Sequence, residues 1–226
     1  MPSVLLTGAN RGLALEFARS FANDGWRVHA CCRHPEKATA LKALSGDIHR
    51  HRLDVTDSLQ VASLARSLRG EPIDLLLNNA GLICTAAVFG KVDYDDWLEV
   101  FKVNTMAPLR LAERFIEHVA AGELKLIANV SSRLGSIAHN VGGGRYIYRS
   151  TKAALNMVVK SMAIDLEPRG ITVVAFHPGW VRTDMGGPEG DLSPEESVAE
   201  LRQLMDRLSF EDSGKFFNHD GSQIDW

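Results

Sequence analysis

The sequence predicts a single doubly wound α/β domain, with a parallel sheet of about seven strands and helices on both faces. Two observations predict it. Short apolar, β-branched runs alternate along the chain with longer amphipathic stretches, the pattern of successive parallel β/α units. The runs at 3–6, 73–77, 125–130 and 171–176 also lack in/out alternation, as strands do when helices bury both their faces.

Each element follows in order. SVLLTG (3–8) is the first strand and 11–24 the first helix; WRVHACC (26–32) leads to a helix over 35–45, DIHRHRLDV (47–55) to one over 57–69, and IDLLLNNAG (73–81) is the fourth strand. A helix over 94–120, the strand LKLIANVSS (124–132), a long helix over 146–167 and the strand ITVVAFHPG (171–179) come next. Pro168 and Gly170 close the long helix. Past a loop rich in Gly and Pro (186–194), Ser193 caps a last helix. Pro194 takes its first position, and Glu195 and Glu196 suit its dipole. GKFFNHD (214–220) is the final strand. With no linker or repeat, the domain is expected over 1–226, a cofactor half at about 1–110 and a catalytic and substrate half at about 111–226.

Composition narrows the function. The 25 Lys plus Arg against 28 Asp plus Glu leave a formal charge of −3, so no basic field drives nucleic-acid binding. Cys31, Cys32 and Cys84 have neither zinc-ligand spacing nor an even disulfide framework, which favours a reducing, cytoplasmic setting. The start MPSVLLTGAN has no basic segment followed by a long apolar one, and no run reaches membrane-spanning length. No membrane partner is expected. His49 and His51 share a strand face in HRHR, but no carboxylate or cysteine is spaced with them, so a partly exposed strand end is preferred to a metal site and no metal is expected.

TGANRGLA (7–14) follows the first strand and opens the first helix, where a glycine-rich turn brings backbone N–H groups and a helix N-terminus to a pyrophosphate. Gly8, Asn10, Arg11, Gly12 and Leu13 are the candidate contacts. The spacing TGxxxGxA resembles the short-chain dehydrogenase/reductase family, whose usual pattern ends in glycine where Ala14 stands. The resemblance continues through Asp54-Val55, NNAG (78–81), Asn104, Ser132, Tyr148, Lys152 and Pro178-Gly179. It implies a Rossmann-type fold and a nicotinamide cofactor, with Asp54 on the adenine amino group, Val55 against the ring, and Asn79, Ala80 and Gly81 lining the cofactor. Pro178, Gly179, Val181 and Thr183 would pass the nicotinamide, and Tyr148 and Lys152 also count among the cofactor contacts. By residue type alone, Asp54 and Asn79 to Gly81 read equally as cap or turn residues.

The second strand ends in Cys32-Arg33-His34, placing a guanidinium where an acidic residue would accept bonds from a ribose hydroxyl. Arg33 and Arg11 could hold a 2′-phosphate between them, so NADP(H) is preferred over NAD(H).

Tyr148 and Lys152 stand at i and i+4 on the long helix, so both project from one face. An adjacent ammonium lowers a tyrosine's pKa from about 10 and makes the phenol a usable proton carrier. With 3 Tyr and 8 Lys among 226 residues, YxxxK arises by chance about 0.1 times per chain, so its company decides its meaning. Ser132 follows the fifth strand, at an edge where ligands bind in open α/β sheets, and can bond the same substrate oxygen. Ser131 is its rival. The family pattern places the serine three residues before a glycine, here Gly135, and so prefers Ser132, leaving Ser131 to pair with backbone. Asn104, ahead of Pro108, reads as a buried helix-bend residue. The resemblance associates it with a bend that holds a water in a proton relay towards the lysine.

Leu134, Tyr146, Trp180 and Met185 flank the presumed site and favour a small apolar aldehyde or ketone. Stretches 131–157, 176–187 and 214–226 resemble the branch of C-factor and sniffer carbonyl reductase. That implies an NADPH-dependent carbonyl reductase, probed equally with quinones and forming a homodimer (or a tetramer) through the helices at 94–120 and 146–167. The competing class is a dinucleotide-binding signalling or sensing protein with little or no turnover. The Ser132, Tyr148 and Lys152 set favours catalysis. An epimerase or dehydratase fits poorly, because those family members resemble TGxxGxxG and carry a larger C-terminal region.

Overall fold

A computed structural model describes residues 1–84 and 87–226. Seven strands, β1 (Ser3–Thr7), β2 (Arg27–Cys32), β3 (Ile48–Arg52), β4 (Leu75–Asn78), β5 (Leu126–Val130), β6 (Thr172–His177) and β7 (Phe216–Asn218), form one parallel sheet in the order β3-β2-β1-β4-β5-β6-β7. Chain order reverses between β1 and β4, and the carboxyl ends of strands at such a switch point open a crevice for ligands. Helices α1 (Gly12–Asn23) and α7 (Pro194–Met205) cover one face; α3 (Ser58–Ser67), α5 (Ala107–Ala121) and α6 (Tyr146–Asp165) cover the other. β1, β4 and β5 are buried at every position, the physical source of their unbroken apolar runs. β3, at the sheet's edge, is half exposed.

Two predicted helices differ in the structure. The stretch 35–45 forms a 3-10 turn (Pro35–Lys37) and the one-turn helix α2 (Thr39–Lys42), because the chain reverses at Gly46, in the left-handed region at φ +110°, to enter β3. The stretch 94–120 is two helices, α4 (Tyr94–Phe101) and α5, joined by a π-helical turn (Lys102–Met106). Pro108 explains the bend, since its ring lacks an N–H and would strike the carbonyl four residues back, that of Asn104. The start of α7 follows the sequence reading, and Ser193 and Glu196 bond reciprocally across its first turn.

Candidate active site

Gly8 (φ +76°) and Gly12 (φ +57°) adopt the left-handed backbone that side-chain-bearing residues avoid. A Cβ at Gly8 would lie 3.2 Å from the Ala80 Cα, so the β1–α1 turn rests on the NNAG segment backbone to backbone. Thr7 locks that contact: its hydroxyl oxygen accepts from the amides of Asn79 and Ala80, each at 3.0 Å. Ala14 is fully buried in the core, so its methyl is accommodated, and Leu13 packs on the same core. Helix α1 starts with no side-chain cap and no acidic residue in its first turn, which leaves its leading N–H groups open to an anion beside exposed Asn10 and Arg11. These donors and the bare Gly12 backbone fit a dinucleotide pyrophosphate.

Arg33 is exposed and its side chain has no hydrogen-bond or ion-pair partner among the described residues. Arg11 departs from the expected partnership with Arg33: its Nη1 donates to Asp184 at 2.8 Å. The carboxylate comes from the loop after β6, which packs close enough that a Cβ at Gly12 would lie 3.5 Å from Thr183. Asp54 accepts from the Thr56 amide and hydroxyl at 2.9 and 2.6 Å, and buried Val55 follows it. Arg110 of α5 clamps this segment by donating to the carbonyls of Val55 and Thr56 at 3.4 and 2.8 Å.

At the end of β5, Ser132 is buried with Tyr148 and Lys152 of α6. Lys152 Nζ donates to the Val130 carbonyl at 2.8 Å and stands 5.9 Å from the centre of the Tyr148 ring. A Cβ at Gly135 would lie 2.8 Å from Lys152 main-chain carbon, so a bare residue three positions after Ser132 is what lets α6 pass the serine turn. Burial pushes the Tyr148 phenol up, against the Ser132 hydroxyl and the Arg145 charge, which pull it down. Burial also draws the Lys152 ammonium down to about 8. The phenol is therefore raised rather than lowered as the i, i+4 spacing predicts: burial dominates, the opposing pull comes from Ser132 and Arg145, and the Lys152 ammonium is engaged by the Val130 carbonyl. At neutral pH the phenol keeps its proton and the lysine its charge.

Ser131 donates to Asn156 Oδ1 at 2.6 Å, a side-chain partner rather than the expected backbone one, and this bond occupies it. Ser132 Oγ accepts from the Leu134 amide at 3.2 Å and faces the phenol. Asn104 sits in the expected bend, where its side chain accepts from the Leu82 amide (2.8 Å) and donates to the Leu82 carbonyl (2.9 Å) and Thr151 Oγ1 (3.1 Å). It ties the segment after NNAG to the residue before Lys152.

Past β6, Pro178 accepts from Ser197, Gly179 turns at φ +81°, and Val181 is buried beside Leu192. Arg182 donates to the carbonyls of Gly190 and Asp191 (2.8 and 3.0 Å) and Trp180 Nε1 to that of Gly186 (2.7 Å), so the loop is held closed on itself. Trp180, Met185 and Tyr146 are exposed and Leu134 half-buried; Phe89, which the sequence reading missed, lies 6.4 Å from the Tyr146 ring. A C-terminal strap closes the far side: the Asp225 carbonyl accepts from Ser136 Oγ at 2.6 Å, Trp226 O accepts from the Ala138 amide at 3.1 Å, and the Trp226 ring stacks on Phe216. His49 is exposed and paired with Asp47, and His51 meets His29 at 3.1 Å. Among the described residues no group of three or more such side chains could hold a metal ion.

A buried Ser, Tyr and Lys beside a dinucleotide-type turn, on this sheet order, define a class. The family model for short chain dehydrogenases matches residues 2–192, and the chain belongs to that family. Within it, the chain is 44% identical to C-signal of Myxococcus xanthus over 155 residues, 69% of this chain and 93% of that protein. Superposed on the carbonyl reductase Sniffer of D. melanogaster it reaches a TM-score of 0.94 at 32% identity, covering 100% of both chains. The NADPH-bound carbonyl reductase from chicken fatty liver is matched at TM-score 0.94 and 35% identity, over 100% of this chain and 99% of that one. The expected C-factor and sniffer branch is borne out.

Thr7 and Arg110 also escaped the sequence reading. Thr7 was flagged only by its place before Gly8, and nothing local marks Arg110, whose targets lie more than fifty residues away.

Proposed function

We propose that the chain reduces the carbonyl of small apolar aldehydes, ketones or quinones, using NADP(H) in preference to NAD(H). The observation that carries this reading is Tyr148, a buried phenol that keeps its proton beside Ser132 and a charged Lys152. Bound NADPH supplies a hydride to the carbonyl carbon. Ser132 donates a hydrogen bond to the carbonyl oxygen and polarises it. As negative charge grows there, Tyr148 passes its proton to that oxygen, and the Lys152 ammonium stabilises the phenolate left behind until a solvent proton restores it. Asn104 keeps the segment after NNAG in register with α6. The free Arg33 guanidinium supports the 2′-phosphate preference, and the rim of Leu134, Tyr146, Trp180 and Met185 supports an apolar substrate.

Exposed Tyr94, Leu98, Leu109, Met157 and Ile164 on α4, α5 and α6 support a homodimer, which sedimentation velocity tests. No helix among the described residues is long and apolar enough to cross a membrane, and a cytoplasmic location is proposed. The test of function is NADPH oxidation against a panel of apolar aldehydes, ketones and quinones, with Tyr148→Phe as control and NADPH binding measured separately. Turnover lost in the variant while binding persists supports the reading. The likeness to C-signal favours a second one, a dinucleotide-binding signalling protein; tight NADPH binding with no turnover across the panel would select it.

A further inference from the structure

The reaction proposed above needs groups carried by two separate elements. Ser132 stands on the turn after β5, whereas Tyr148 and Lys152 stand on α6, so the chemistry depends on what fixes one element against the other. Asn156 follows Lys152 by one helical turn and Tyr148 by two, on the same side of α6, and is only 4% exposed. Asparagine is a poor helix former, and a buried amide is costly unless its oxygen and nitrogen are bonded. Here both are. Its Oδ1 accepts from the Ser131 hydroxyl at 2.6 Å and its Nδ2 donates to the Gly135 carbonyl at 3.3 Å.

Those two partners bracket Ser132. On one side Ser131 is tied to the sheet, its amide donating to the Phe176 carbonyl at 2.7 Å. On the other the Gly135 amide donates to the Ser132 carbonyl at 2.7 Å and closes the turn. The bare Gly135 passes against the main chain of Lys152, so one amide joins β5, the serine turn and α6 where they come closest. Two other side chains of α6 reach the same stretch. Lys152 bonds the Val130 carbonyl, but through the ammonium that the chemistry uses, and Arg149 bonds the Leu134 carbonyl from a half-buried guanidinium.

We propose that Asn156 is a positioning residue, which sets the Ser132 hydroxyl against the Tyr148 phenol by holding Ser131 and Gly135 to α6. The inference rests on the reductase reading and adds to it a residue outside the Ser132, Tyr148 and Lys152 set. A leucine at this position has similar size but makes neither bond, and it leaves the Ser131 hydroxyl and the Gly135 carbonyl unpaired.

The experiment uses the full chain with NADPH, with 4-nitrobenzaldehyde and menadione as probe carbonyls, and compares Asn156→Leu, Ser131→Ala and the double variant. Asn156→Leu is expected to lower kcat about tenfold and to leave the carbonyl KM and the NADPH affinity within about twofold, because a misplaced Ser132 weakens the transition state and not binding. Ser131→Ala, which breaks one of the two bonds, should lower kcat about threefold, and the double variant should fall no further than Asn156→Leu, since the two residues act as one unit. The Leu134 and Gly135 amides both bond Ser132, so their hydrogen exchange should quicken about tenfold in Asn156→Leu while the β5 amides keep their protection.

An unchanged kcat in Asn156→Leu, or a kcat that falls only together with NADPH affinity, overturns the proposal. If Asn156→Leu does not fold, Ser131→Ala decides on the same readings. If the wild type binds NADPH but turns over neither carbonyl, the reductase reading fails instead. Hydrogen exchange then decides the present proposal, quickening confined to the serine turn supporting it and unchanged or general quickening overturning it.

Discussion

At the β1–α1 turn the working groups are main-chain amides, held in place by Gly8, Gly12 and the Thr7 hydroxyl and open to solvent. At the β5–α6 junction they are side chains, and Tyr148 and Lys152 are almost entirely buried there. The first region needs only shape, and its charges, Arg11 and Arg33, stand exposed around it. The second works against desolvation, which raises the phenol and lowers the ammonium. On the proposed reading, binding is built from backbone that is stable on its own terms, whereas chemistry is built from groups whose burial opposes their charge.

The sharpest way to separate the two regions is Tyr148→Phe. We expect kcat to fall by about 10³-fold while NADPH affinity, read by fluorescence titration, changes only severalfold. An equal loss of binding would break the division.

Lys152→Met comes next, with a loss of about 10²-fold in kcat. Because the buried ammonium is held near 8 against its ordinary 10.5, the unfolded chain binds that proton more tightly. The penalty to folding is therefore fully present below pH 8 and is relieved as pH rises from 8 towards 10.5. Replacing Lys152 by Met should stabilise the fold by about 1–2 kcal/mol in urea unfolding at neutral pH, less than the full desolvation term because the Val130 carbonyl loses its donor. The wild-type pH–rate profile should likewise decline above about 8, as Lys152 loses its charge, while the raised phenol still holds its proton.

Smaller effects belong to the turn. Arg33→Ala should raise the KM for NADPH about tenfold and leave that for NADH unchanged, since only the 2′-phosphate meets the guanidinium. Asp184→Asn should lower the NADPH KM by about two- to threefold by freeing Arg11 from an exposed ion pair. A shift of the same size with NADH would assign Arg11 to the pyrophosphate instead of the 2′-phosphate.

What was legible in the sequence divides along the same line. The buried strands announced themselves, because a strand covered on both faces has to be apolar throughout, and the glycine turn was readable because backbone conformation limits residue choice locally. The spacing from Ser132 to Gly135 was visible as a pattern, but its cause, the close pass of α6 over Gly135, needed the fold. The bend at Asn104 was signalled by Pro108, although the sequence could not show that the helix splits into α4 and α5. Least legible were long-range bonds: Arg11 to Asp184, Arg110 to the segment after Asp54, and Ser131 to Asn156 each join distant positions whose residue types are common on any surface or helix. The direction of the Tyr148 shift was missed for a related reason, since the i, i+4 spacing reports proximity and not depth.

The strap formed by Asp225 and Trp226 carries an expectation about the order of folding. It reaches back 89 residues to Ser136, adding a long-range tie to a loop already held locally by the Ser136–His139 bond and by Asn156 donating to the Gly135 carbonyl. In the sheet β4, β5, β6 and β7 lie side by side in chain order, so each pairs with its sequence neighbour. Contacts as distant in sequence as the strap's form late. In refolding from urea, nucleotide binding should accordingly return before turnover does; simultaneous recovery of the two would show that the loop sets without its strap.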